Sequence, residues 1–326
     1  MLSAMEVVGN PSSVHSEGRA AKRIIETARA QVAQAFGAEG ADVIFTSGAT
    51  EAAALALAGR GLSGANVEHD AVRAWIDERL PVDPSGQVTV EDPTRSVLQL
   101  ANSETGVVQS LPEGLVLSDM TQAFGKLPVA FNWAGCQMAL ISAHKIGGPK
   151  GIGALVVRRG TDVVAQIKGG GQEMGRRSGT ENLIGIAGFG AAAEAAARDL
   201  AEGAWARIEK FRNILENVIA DRARETIFVG KESERLPNTS MMLTPGWKGE
   251  TQVMQMDLAG FAVSAGSACS SGKVTSSAVL RAMGFSEAEA GCAMRVSLGL
   301  HTTEDEIMRF AESWLDREAK HRARRG

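Results

Sequence analysis

The chain has 326 residues, 44% of them apolar and 22% charged, room for about two domains at ~150 residues each. Its 34 Lys+Arg against 38 Asp+Glu, a formal charge of -4, leave no large basic field for gripping nucleic acid or anionic lipid. Tyrosine is absent and aromatics are only 5%, which removes the commonest surface for stacking on single-stranded bases. Ala-rich Arg19–Phe36, closed by Gly37, reads as a helix with a glycine stop. Asp42–Thr46 reads as a short buried strand, Ser47–Thr50 as a turn and Glu51–Ala58 as the next helix. Further apolar runs at 96–100, 115–119, 138–142 and 154–157 are continuous rather than alternating, the pattern of a sheet buried on both faces. A long helical stretch follows from Ile184 to about Val218, and short strands and helices alternate to the end. The fold class is therefore α/β, with a large domain over 1–199 and a smaller C-terminal domain over 200–326.

The three cysteines, Cys136, Cys269 and Cys292, are odd in number and far apart, which excludes a disulfide framework and a CxxC zinc site. No metal site is expected. No run is long and apolar enough to span a bilayer, and the first residues lack a signal peptide's regions. A cytoplasmic location is the expectation.

In open α/β sheets ligands sit beyond the carboxyl ends of the strands, so the residues that end each run matter most. Ser142-Ala143-His144-Lys145, followed by a glycine-rich turn, puts a lysine at a strand end, where burial would disfavour its ammonium form and free an amine nucleophile. A surface loop with two lysines is the plainer reading. Ser142 and His144 could hold a phosphate, although the stretch is no P-loop. Ala49 and Thr50 open a helix and offer backbone N–H groups and a hydroxyl, an anion site that many helices have without using. Asp119, three residues before Gln122, suits either the protonated nitrogen of a ring or an N-cap. Gly169–Gln172 and Arg177–Thr180 form a donor-rich segment or simply a long turn. Cys269 lies among small residues in Ser264–Lys273, a setting for an accessible thiol. Arg295 is a lone cation in an apolar strand pattern and needs an anion, either a substrate carboxylate or a structural Asp or Glu. Local sequence leaves His69 ambiguous, and His15, His301 and His321 have no special context.

Taken in order, Gly9–His15, Phe45–Glu51, Glu68-His69, Glu104–Gly106, Asp119 with Gln122, Ser142–Lys145, Gly169–Thr180, Ser264–Cys269 and Met294–Gly299 resemble the motifs of cysteine desulfurases of the NifS/IscS-like group, within the class V aminotransferases. The resemblance spans nearly the whole chain. It implies the pyridoxal-phosphate-dependent transferase fold of type I, a large domain with a mostly parallel sheet flanked by helices and a smaller C-terminal α/β domain. By that resemblance Lys145 would carry pyridoxal 5'-phosphate on its amine, Asp119 would pair with the pyridinium nitrogen and His69 would stack on the ring. Gln122 would bond the ring hydroxyl. Thr50, with Ala49 beside it, Ser142 and His144 would hold the phosphate, and Thr180 would reach it from the second subunit of a homodimer. Arg295 would clamp the carboxylate of L-cysteine. Cys269 would take the substrate's sulfur as a persulfide, releasing L-alanine, and pass it to a scaffold or other acceptor protein for iron–sulfur clusters or tRNA thiolation. The rival readings are another class V activity, such as selenocysteine lyase or aminotransferase, or a degraded homologue kept as a binding partner.

Three departures from the family pattern carry expectations. Nothing resembling YLDNAATTP precedes Gly9, so the chain reads as shortened at its start. The stretches 59–68 and 109–117 are short, which implies a strand and a helix reduced or absent. Ser103 stands where the family has a second asparagine near the cofactor hydroxyl and substrate carboxylate, which implies weaker or water-mediated substrate binding.

Overall fold

The computed structural model describes residues 1–266 and 276–324. The chain forms two compact units, one built from Met1–Leu80, Val90–Leu100 and Ser110–Glu202, the other from Pro81–Thr89, Ala101–Gln109 and Gly203–Gly326. No helix among the described residues is long and apolar enough to cross a membrane.

The first unit contains α1 (Leu2–Met5), α2 (Ser16–Ala35), β1 (Asp42–Thr46), α3 (Ala49–Leu57), β2 (Leu62–Ala65), α4 (Asp70–Arg73), β3 (Ile76–Leu80), β4 (Leu115–Asp119), β5 (Cys136–Ser142), β6 (Gly153–Val157) and α5 (Leu183–Ala201). β4 and β5 are parallel, and β6 runs antiparallel to both β5 and β1. β2 and β3 form a parallel pair. The apolar run 96–100 lies between β2 and β4, bonding Ser63 on one side and Leu117 on the other, but only through isolated bridges rather than as the continuous strand its composition suggests. The result is a mixed α/β unit with a mainly parallel sheet, β6 being the reversed strand. Its core packs Ile44, Leu55, Leu117, Met138, Leu140 and Leu155, the continuous apolar runs that mark a sheet covered on both faces. The short stretch 59–68 still supplies β2, whereas residues 110–114 lead into β4 without a helix.

Small residues set how closely the layers approach. α2 packs along α5, with Ala21, Ala28, Ala193 and Ala196 buried in the pair. A Cβ at Gly153 would lie 2.8 Å from the Gly48 backbone and 2.8 Å from the Ile141 carbonyl oxygen, so only glycine lets the turn after β1 seat against β6. The helical stretch expected over 184–218 is in fact two helices, α5 and α6 (Ala204–Arg222), broken at Gly203, whose φ of 72° is left-handed. A residue without Cβ adopts that conformation at no steric cost.

The second unit continues with β7 (Ile227–Phe228), β8 (Thr239–Leu243), α7 (Gly249–Asp257), β9 (Ser264–Ala265), α8 (Ala278–Ala282), α9 (Glu287–Ala290), β10 (Ala293–Ser297) and α10 (Glu304–Ala323). Its sheet has the order β7-β8-β10-β9 and is antiparallel throughout. Trp247 and Trp314 meet at 5.4 Å between ring centroids in a core shared with Ile219, Met242, Met294 and Phe310. Arg235 grips Glu216 of α6 through two bonds of 2.8 and 2.9 Å, and the Ser240 hydroxyl donates to the same carboxylate at 2.8 Å. The two charged side chains are 4% and 3% exposed. Removing one partner strands a buried charge, so Glu216→Ala is expected to cost about 3–5 kcal/mol. Denaturant unfolding checks this; a loss below about 1 kcal/mol, the range of an exposed pair, would contradict it.

Candidate active site

β1, β4 and β5 end at one edge of the sheet, because Thr46 and Ser142 both pair with Gly153 and Asp119 pairs with Leu140. Parallel topology thus brings the polar residues that follow three strands together, as expected of an α/β ligand site.

At one end of this edge stand Glu68, His69, Asp119 and Gln122. Asp119 accepts the Thr121 backbone N–H at 2.9 Å, the local bond expected of a turn-capping aspartate. His69 caps α4, its Nδ1 accepting the Ala71 N–H at 3.1 Å, so a neutral ring carries its proton on Nε2. Glu68 is buried beside them. Desolvation, and secondarily the Asp119 charge, push its carboxyl up to about 8, against the opposing pull of the Gln99 N–H and His69.

At the other end Ser142 Oγ and His144 Nδ1 lie 2.9 Å apart. Burial lowers the His144 pKa, and the charges of Lys145, Lys150 and Lys126 lower it further. Lys145 sits in the short 3-10 turn Ala143–Ile146 and its side chain is exposed. The lysine is therefore exposed where its place at a strand end suggested burial: the strand ends before it. The buried lysine here is Lys126, 6% exposed, whose Nζ donates to the Gln122 carbonyl at 2.8 Å. Desolvation and then the Lys145 charge lower it to about 7.

α3 opens at Gly48 with no side chain capping it, and a Cβ built on Gly48 would meet nothing within 4 Å. An open nine-residue helix N-terminus, a Ser–His pair and three lysines acting on that histidine form a phosphate-accepting set. A carboxylate and an imidazole at the other end suit a cationic heteroaromatic ring. The donor set fits pyridoxal 5'-phosphate. Thr50 is exposed on the first turn of α3, and Thr180 is exposed after Gly179, whose N–H donates to Gln172 at 3.1 Å.

Two other sequence-singled residues meet in the second unit. Arg295 on β10 donates to the Ser103 carbonyl at 2.6 Å and weakly to Ser264 Oγ at 3.4 Å, while its buried Nε has no partner. Among the described residues it makes no ion pair with Asp or Glu, so its role as a structural salt-bridge partner is not realised there. Asn102 holds the Ser103 turn by accepting the N–H groups of Glu104 and Thr105, each at 2.9 Å. Ser103 therefore presents its carbonyl to Arg295, and its shorter side chain is not what makes that contact. Cys269 lies outside the described residues. Cys136 is buried, and desolvation pushes its thiol up to about 12, while buried Cys292 donates from Sγ to the Ala288 carbonyl at 3.3 Å.

Sequence reasoning missed three supporting groups. Lys126 could have been found as Arg295 was, as a lone cation in an apolar stretch, here Ala123–Val129. Glu68 was visible only as the neighbour of His69. Glu173 accepts Arg29 through bonds of 2.7 and 3.0 Å and the Phe45 N–H at 2.9 Å, pinning the donor-rich segment to the end of β1.

Residues 3–73 and 81–310 match the aminotransferase class-V family. A cysteine desulfurase of Cereibacter sphaeroides is 38% identical over 94% of this chain and 88% of its own length, and one of a Frankia species is 39% identical over 94% and 84%. Among solved structures, a NifS-like protein of Rickettsia africae superposes with a TM-score of 0.87 at 31% identity, covering 97% of this chain and 93% of that one. The structure titled SspA in complex with cysteine gives 0.74 at 27% identity, over 93% and 95%. The chain thus belongs to the pyridoxal 5'-phosphate-dependent aminotransferase class-V family, in its cysteine desulfurase group.

Proposed function

We propose that the protein removes sulfur from L-cysteine, giving L-alanine and a persulfide on Cys269. The observation that carries this reading is Arg295, an arginine whose described partners include no carboxylate and whose Nε is buried and unsatisfied, in a chain whose first unit also has a cofactor-fitting edge. A substrate carboxylate supplies what Arg295 lacks. When bound, pyridoxal 5'-phosphate supplies an electron sink for the bonds around the substrate's α-carbon. Lys145 would hold it through its amine, Asp119 would keep the ring nitrogen protonated, and Gln122 would bond the ring hydroxyl. Thr50, with the α3 N–H groups beginning at Ala49, Ser142 and His144 would hold the phosphate. His69 would stack on the ring and handle protons at Nε2, because Nδ1 is committed to Ala71. In the overall reaction the Cys269 thiolate forms a sulfur–sulfur bond, the substrate's Cβ–S bond breaks, and Cβ gains the proton that makes it alanine's methyl group.

Thr180 from a second copy would complete the phosphate site, which makes a homodimer part of this reading. The sulfur would pass to a scaffold or other acceptor protein in the cytoplasm. Incubation with L-cysteine tests the function: one alanine per sulfide released in excess thiol is expected, whereas faster turnover with selenocysteine, or amino transfer to a keto acid, would favour another class V activity. Losing a bidentate charged contact is worth roughly 1.5–3 kcal/mol, so Arg295→Lys is expected to raise the KM for L-cysteine by about 10- to 100-fold, with kcat less affected. An unchanged KM would remove Arg295 from the substrate site.

A further inference from the structure

Two carboxyl groups occupy the ring end of the site, and only Asp119 has a function in the reading above. Glu68 is 2% exposed; its Oε1 accepts the Gln99 backbone N–H at 2.8 Å, and its Oε2 is buried with no hydrogen-bond partner. The charged and titratable groups acting on it are Asp119 at the end of β4, which opposes its ionisation, and His69 at the start of α4, which favours it. Other buried glutamates differ: Glu173 is paired with Arg29, and Glu216 with Arg235. A buried carboxylate lacking both a cation and a second donor, beside another carboxylate, is strongly disfavoured as an anion. Burial without a second donor therefore favours the neutral acid at Glu68, and the Asp119 charge adds to that preference.

We propose that Glu68 is a positioning residue that keeps a proton on its own carboxyl at neutral pH, so that Asp119 remains the anion available to a protonated ring nitrogen. Its functional meaning rests on the reading of Asp119 as that nitrogen's partner; the location of the proton does not. Were the proton on Asp119 instead, the ring nitrogen would lose its ion pair and the site its hold on the ring's charge. Glu68 would thus act through Asp119 without touching the cofactor.

The sign of its effect on stability follows from burial. An unfolded glutamate ionises near 4.5 while the folded one holds its proton to about 8, so the folded state binds more protons between those values. Stability contributed by the neutral form is fully present below the lower value and is lost as pH rises through the upper one. Wild-type stability should therefore fall across this window, and Glu68→Gln, neutral at every pH, should flatten that fall.

Infrared difference spectroscopy on the full chain, with and without pyridoxal 5'-phosphate, locates the proton directly. Between about pH 6 and about pH 10 the wild type should lose the carbonyl stretch of a protonated carboxylic acid. That band should shift when glutamate is isotopically labelled, stay put when aspartate is labelled, and be missing from Glu68→Gln. A band that follows labelled aspartate, one that persists in Glu68→Gln, or no acid band at neutral pH would overturn the proposal. If Glu68→Gln does not fold, labelling of the wild type decides the matter alone. Cofactor binding unchanged in Asp119→Asn would count against the Asp119 reading while leaving the glutamate band, and the proton's location, standing.

Discussion

Replacing Cys269 with alanine is expected to lower alanine formation from L-cysteine by about a hundredfold or more, because the reaction loses the nucleophile that accepts the sulfur. Neither remaining cysteine can stand in for it. The reactive form is the thiolate, and burial of Cys136 raises its pKa to about 12, leaving essentially none ionised at neutral pH. Cys292 is buried, its Sγ bonded to the Ala288 carbonyl, and so is not an accessible thiol. Cofactor binding should survive the substitution, since none of the proposed cofactor-holding roles belongs to Cys269. Full alanine formation by Cys269→Ala would mean that sulfur leaves without passing through this thiol, as in a lyase that eliminates directly.

The second large effect belongs to Lys145. In Lys145→Ala the protein should lose the visible absorbance of covalently held pyridoxal 5'-phosphate after desalting, with turnover falling on the order of a thousandfold. Lys126 is an alternative amine, and its lowered proton affinity alone would make it a good nucleophile. The proposed role of Lys145 is favoured by exposure. Lys126 is buried with Nζ donating to the Gln122 carbonyl, whereas Lys145 is exposed on the turn that follows β5. Reduction of the cofactor linkage followed by peptide mapping should place the label on Lys145; a label on Lys126 would reverse the two roles. In Lys126→Met the Gln122 turn loses its support, and weaker cofactor retention is expected from equilibrium dialysis; undiminished retention would reduce Lys126 to packing.

The large-unit strands were legible because a sheet covered on both faces demands continuous apolar runs, and 42–46, 115–119 and 154–157 match β1, β4 and β6 to within a residue. The run 96–100 shows the limit of that signal: apolar content reports burial, and Leu98 and Leu100 are buried, but pairing there is confined to isolated bridges. The break between α5 and α6 was hidden because Gly203 falls in otherwise helix-favouring sequence, and one glycine is tolerated in a helix as often as it ends one. The left-handed backbone at Glu173 and Met174, with φ of 47° and 59°, had no signal at all, since neither residue type favours that region. The Arg29 and Phe45 bonds that hold Glu173 connect positions more than a hundred residues apart. The candidate site was legible for a different reason. Its residues close the strands, so topology alone brings Asp119, Ser142 and Lys145 to one edge, whereas Glu68 and Lys126 matter through burial, which local sequence does not report.

The central claim is that sulfur from L-cysteine passes onto one particular thiol. Mixing the cofactor-loaded protein with L-cysteine in the absence of any acceptor thiol, then mapping its peptides by mass, tests that claim most directly. One added sulfur atom on the peptide containing Cys269, formed together with an equal amount of alanine, is the predicted result. Alanine formed with no added sulfur on Cys269, or sulfur added instead to Cys136 or Cys292, would contradict it.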